Sequence, residues 1–149
     1  MPVPTGADSG LRRMLLLIVA LGTLGLIGEL WLLEHFEEWT QWIPFVALAL
    51  CLAGCVSLAL RPSAPLVRMF RRVMLATIAI GVVGIWLHFA GNRAFEIEMD
   101  ASQSGWLLVW HSLRGATPAL APGAMVQLGL IGLLYTWRHP ALAHTTEEG

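Results

Sequence analysis

The sequence predicts an all-α membrane protein: a bundle of four transmembrane helices, with an interfacial amphipathic helix in the loop between the third and fourth. Three observations predict it. Of 149 residues, 56% are hydrophobic and only 13% charged, far from the balance of a water-soluble domain. The apolar residues gather into four stretches, roughly 14–33, 42–60, 73–90 and 119–137, separated by charged or proline-containing breaks. A run of about 20 apolar residues matches the hydrocarbon thickness only as a helix, because lipid leaves no partner for an unpaired peptide group. The whole chain, 1–149, reads as a single integral membrane domain.

The first span follows Arg12 and Arg13. It is too long for the apolar core of a secretory signal and is followed by bulky and acidic residues instead of a small-residue cleavage site, so it stays as a membrane helix. Its apparent continuation, ELWLLEHFEEWTQW, predicts a helix running on past residue 33. The second span closes at Arg61-Pro62, with Pro65 enforcing a short break before the basic cluster Arg68, Arg71 and Arg72. The third stops at Gly91-Asn92. In the fourth, a start at Pro122 leaves a helix of only about 24 Å to Trp137, so the span starts earlier and kinks or sits where the protein is thin.

Orientation follows from arginine, the only basic residue type besides histidine in this chain. Arg12, Arg13, Arg61, Arg68, Arg71, Arg72 and Arg138 fall on one side of a four-span path, and only Arg93 and Arg114 on the other. Cytoplasmic loops carry such an excess, which places both termini in the cytoplasm. Trp31, Trp39, Trp42, Trp86 and Trp137 stand near span ends, where the headgroup layer suits an indole. A formal charge of −1 excludes a nucleic-acid partner of the usual basic kind.

The loop 91–117 is the one sizeable connection and is expected on the extracytoplasmic side. Within it, SGWLLVWHSLRG sets Trp106, Val109, Trp110 and Leu113 at helical spacing, with Ser104 as N-cap and His111, Ser112 and Arg114 on the polar side. That helix lies flat at the outer interface or packs as a lid on the outer helix ends. Gly22, Gly25, Gly28, Gly81, Gly84, Gly129 and Gly132 give the spans small faces for close helix packing or for docking another protein. Cys51 and Cys55, one turn apart, read as small packing residues. GLIGELWLLEHF and GVVGIWLHF form a faint repeat that suggests duplicated hairpins, although aligning them needs a gap.

Chemistry is most readily placed around Glu29, an acid inside the first span that must be protonated, paired or able to reach the surface. His88 lies at matching depth on the parallel third span and is the expected partner. Beyond the span, His35 and Glu38 are three residues apart, and His88, Asn92 and Glu96 recur at intervals of four. Histidine and carboxylate at such intervals suit zinc, iron or manganese, so Glu29, His35, Glu38, His88, Asn92 and Glu96 form the candidate set for a divalent metal ion. Carboxylates alone, among Glu34, Glu37, Glu38, Glu96, Glu98 and Asp100, suit calcium or a merely solvated outer cap. Haem ligation needs His35 and His88 to face one cavity. His111, His139 and His144 read as surface histidines, and Gln127 as an interhelical hydrogen-bond partner.

No metalloprotease helix, paired-cysteine motif, phosphate loop or serine elbow is present, so no catalytic residue is assigned and no reaction class is fixed. HFAGNRAFEIEMD, SLRGATPALAPGAM and LGLIGLLYTWRHP resemble a group of small bacterial inner-membrane proteins of four helices without a known activity. The resemblance implies a bacterial plasma-membrane location and places Asn92, Glu96, Pro118, Pro122 and Gly123 in recurring segments. Two expectations stand: an accessory or structural membrane subunit, self-associating or part of a larger complex in the lipid bilayer, and a cation-binding or proton-coupled membrane protein. A lipid-directed enzyme would need a nucleophile or paired acids at a lateral opening.

Overall fold

A computed structural model describes residues 6–145, and among them there is helix and turn but no strand. Three helices are long and apolar enough to cross a membrane: α1 (Gly6–Leu32), α2 (Trp42–Leu60) and α3 (Ala64–Met99). They are joined by two shorter ones, α4 (Gly105–Leu113) and the apolar α5 (Gly123–Thr136). Short 3-10 segments precede α2 at Trp39–Gln41 and follow α5 at Pro140–Thr145. The chain is a membrane protein by this measure.

α1 packs against α2 and α5, while α3 packs against α2, α5 and α4. Val19, Leu48, Val67, Phe70 and Met74 are fully buried between them. Leu17, Leu21, Val46, Leu50, Val82 and Leu130 are exposed, an outward apolar surface that only lipid or another apolar helix can cover. Close approach depends on glycine. A Cβ on Gly129 would lie 2.8 Å from the Met74 carbonyl oxygen, and one on Gly81 would lie 2.9 Å from that of Pro122. Gly84 and Gly132 face Pro122 and Met74, so these four glycines close the α3–α5 seam. Gly22 meets Leu128, and Gly54 meets Phe70. Gly25 and Gly28 meet nothing within 4 Å.

Several boundaries differ from the sequence expectation, among them the start of α3, which lies at Ala64 and takes the basic cluster Arg68, Arg71 and Arg72 into the helix. α1 ends at Leu32 and does not continue through His35 and Glu38. Its last turn is closed by Glu34 N–H donating to Trp31 O and His35 N–H donating to Leu30 O, with Glu34 at φ 52 in the position usually held by glycine. Glu38 then caps the 3-10 turn, reciprocally with Gln41. α3, by contrast, runs without a break through Gly91 for 36 residues, about 54 Å. The sequence repeat therefore has no counterpart here: one copy ends in a turn, the other in continuous helix. α5 begins only at Gly123, with Pro122 as its cap.

The two ends of α5 are held by side chains from α1 and α3. At the arginine-rich end, Arg12 donates to the carbonyls of Tyr135 (2.7 Å), Trp137 (3.1 Å) and Arg138 (3.1 Å). Arg71 donates to Thr136 O at 2.9 Å and to its hydroxyl at 3.2 Å. The last carbonyls of a helix lack intrahelical partners, and two guanidinium groups supply them here. At the other end, α3 holds the non-helical stretch that leads into α5. In the core, Thr23 donates to Val19 O and stands 3.2 Å from the Cys51 sulfur, and both cysteines are free and buried.

Candidate functional site

The continuous α3 puts His88, Asn92 and Glu96 on one stripe, and each meets the segment 103–118. Asn92 is buried and uses its whole amide. Its Nδ2 donates to Ser112 O (2.9 Å) and Thr117 O (2.6 Å), and its Oδ1 accepts from Thr117 N (3.2 Å) and Oγ1 (2.7 Å). Gly115 allows that approach, since a Cβ there would sit 2.5 Å from the Asn92 amide carbon. One turn towards the core, His88 Nδ1–H donates to Pro118 O at 3.2 Å. One turn outward, Glu96 accepts from Gln103 Nε2 at 3.3 Å, and His111 donates to Gln103 Oε1 at 2.9 Å, with its Nδ1 3.7 Å from the Glu96 carboxylate.

This stripe therefore clamps irregular backbone to the helix. Buried peptide groups outside helices need partners elsewhere in the protein, and the turn-rich path 114–122 has few of its own. α4 is drawn onto α3 by the same contacts. Leu108 and Ser112 are buried against it, while Trp106, Leu107 and Trp110 are exposed. The buried face thus includes Ser112, placed by the sequence on the polar side, and excludes both tryptophans. Ser104 stands at the N-cap without a side-chain capping bond. Gly105 opens α4 at φ +61, a conformation that suits glycine.

Of the other candidate ligands, Glu29 and Glu38 are exposed. Among the described residues no ion pair joins Glu29 to His88, so the expected pairing is not formed. His88 instead lies beside His35, with ring centroids 6.3 Å apart and planes tilted by 44°. Burial, and next the neighbouring His88, lower the His35 pKa below its ordinary 6.5. Among the described residues no group of three or more His, Cys, Asp or Glu side chains is placed to hold a metal ion. The six expected ligands are thus divided into a pair of imidazoles, two clamp residues and two exposed carboxylates.

Two further residues depart from expectation. His139 is buried rather than superficial, accepts from Ala141 N on Nδ1 at 3.2 Å, and has its pKa lowered first by burial and then by Arg12. Gln127 is exposed on α5, and its side chain makes no hydrogen bond among the described residues. The His144 side chain lies outside the described residues. An apolar groove of about 380 Å³ between α2 and α3, lined at one end by Trp39 and Trp42, contains no group able to do acid–base or nucleophilic work. Comparison with known protein families, with characterised proteins and with solved structures returns no match.

Proposed function

We propose that the chain is a structural subunit of a bacterial plasma membrane, a four-helix bundle that associates with a second copy of itself within the bilayer. The fourth crossing is formed by α5 together with the clamped segment before it. From Arg71 to Asn92, the two points where α3 grips that path, α3 covers about 32 Å, the thickness of a hydrocarbon core. Four crossings return both termini to the arginine-rich, cytoplasmic side, and put α4 at the outer interface.

The observation that carries self-association is Gln127. The contacts of Val126 with Gly81 and of Gly129 with Ile78 set it level with the middle of the crossing. An amide exposed there faces hydrocarbon, where an unpartnered polar group costs roughly 4–8 kcal/mol. A primary amide is both donor and acceptor, so an identical amide from a second copy satisfies it, and such interhelical bonds contribute about 0.6–2 kcal/mol each. Leu134, two turns along the same face of α5, lines a groove with Leu11 and Leu15 of α1. Further along α1, about 15 Å beyond Leu15, Gly25 and Gly28 leave an open notch that allows an approaching helix close contact.

The test is particle mass in a mild detergent and in lipid nanodiscs, for the full chain and for Gln127→Leu. The reading expects a dimer that dissociates about tenfold more readily in the variant, with helix content unchanged. A wild-type monomer across lipid-to-protein ratios, or a dimer indifferent to Gln127→Leu, would overturn it.

A further inference from the structure

The geometry points to a two-imidazole metal site, formed by His35 and His88, that binds a single borderline divalent ion such as Zn2+ or Cu2+ at the arginine-poor end of the molecule. This goes beyond the self-association reading and stands on different residues.

The rings come from separate elements. His88 is on the continuous α3, and His35 is on the turn that ends α1. With metal–nitrogen distances of about 2.0–2.1 Å, two imidazoles sharing one ion have centroids about 5–6 Å apart, so the observed 6.3 Å closes with a small rotation of the exposed loop. His88 is already set for the task. Its Nδ1–H donates to Pro118 O, which fixes the tautomer and leaves the Nε2 lone pair for an ion, the arrangement typical of a metal-binding histidine. Among the described residues the His35 side chain has no hydrogen-bond partner.

The backbone around His35 agrees with this reading. Glu34 is held at φ 52, a conformation that costs a non-glycine residue on the order of 1 kcal/mol and that sets the direction in which the loop leaves α1. Two protein ligands leave open positions, which water fills. Asn92 and Glu96 take no part, because both are engaged with the 103–118 segment.

The deciding experiment is titration of the purified full chain with Zn2+ against a chromophoric chelator, repeated for His35→Ala, His88→Ala and His111→Ala. The expected result is a single Zn2+ per chain, bound at least tenfold more weakly in His35→Ala and His88→Ala and unchanged in His111→Ala. Cu2+ in the wild type should show two imidazole nitrogens by electron paramagnetic resonance, and one in His35→Ala. Because His88 also supports Pro118, His35→Ala with unchanged circular dichroism decides the matter if His88→Ala loosens the fold. No bound ion, or full affinity in His35→Ala, would overturn the site.

Discussion

Replacing Asn92 tests how the irregular stretch before α5 is tolerated. In Asn92→Leu the Ser112 carbonyl, which belongs to a buried residue, and both polar groups of the Thr117 backbone lose their partner. Four hydrogen bonds disappear. At a net 0.5–1.5 kcal/mol each, and halving the three Thr117 bonds because that residue is exposed, the loss is about 1–4 kcal/mol. Asn92→Asp sharpens the test. It preserves size and the Oδ1 acceptor, but it sets a carboxylate oxygen against two carbonyls at 2.9 and 2.6 Å, where the amide donated. It should therefore destabilise at least as much as Asn92→Leu, the reverse of what filling space would give. Unfolding by titrating denaturing detergent into mild micelles gives the magnitude, and hydrogen exchange over 103–122 localises it. Unchanged exchange in both variants would refute the clamp.

The remaining predictions concern packing, capping and pH. Gly129→Ala should cost about 1–3 kcal/mol because the Met74 backbone cannot yield, whereas Gly25→Ala should be neutral or stabilising by up to about 1 kcal/mol, read from the same unfolding titration. Arg12→Gln should lose on the order of 1–2 kcal/mol, since three carbonyls at the end of α5 lose a charged donor at a partly wetted site. Glu34→Gly should raise stability by roughly 1 kcal/mol by relieving the left-handed backbone, measured by the unfolding midpoint. His139 and His35 have folded pKa values below their ordinary 6.5, so the unfolded chain takes up their protons first. Their contribution is complete above pH 6.5 and declines as pH falls through 6.5 towards the lower folded values, by at most about 1.4 kcal/mol per pH unit for each group. His139→Asn, which retains an acceptor for Ala141 N, should flatten its share of that decline between pH 7.5 and 5.5.

The spans were legible because hydrocarbon imposes a length and a polarity on the chain, and the three long helices coincide with apolar runs for that reason. The ends were less legible. Gly91 and Asn92 look like a stop, yet helix costs little there once Asn92 finds partners on another segment, and those partners lie 20 and 25 residues away. The end of α1 was hidden for the opposite reason. ELWLLEHFEE reads as helix, and nothing local announces that Glu34 will take a left-handed conformation. Among the candidate ligands, the interval of four on α3 was visible, but periodicity cannot say whether a stripe faces an ion or a peptide carbonyl. Gln127 shows the same limit: its depth was apparent, its outward direction was not. The Arg12 and Arg71 contacts went unread because arginines at that end already had a sufficient explanation in membrane orientation.

The most direct test of the architecture is the compartment reached by each end of the chain. With Cys51 and Cys55 replaced by serine, single cysteines placed before Arg12 and after His139 are challenged with a membrane-impermeant maleimide in intact cells and in inverted vesicles. Four crossings predict that both sites are protected in cells and both react in vesicles. Labelling of one end in cells and the other only in vesicles would mean an odd number of crossings, and would remove α5 from the bilayer.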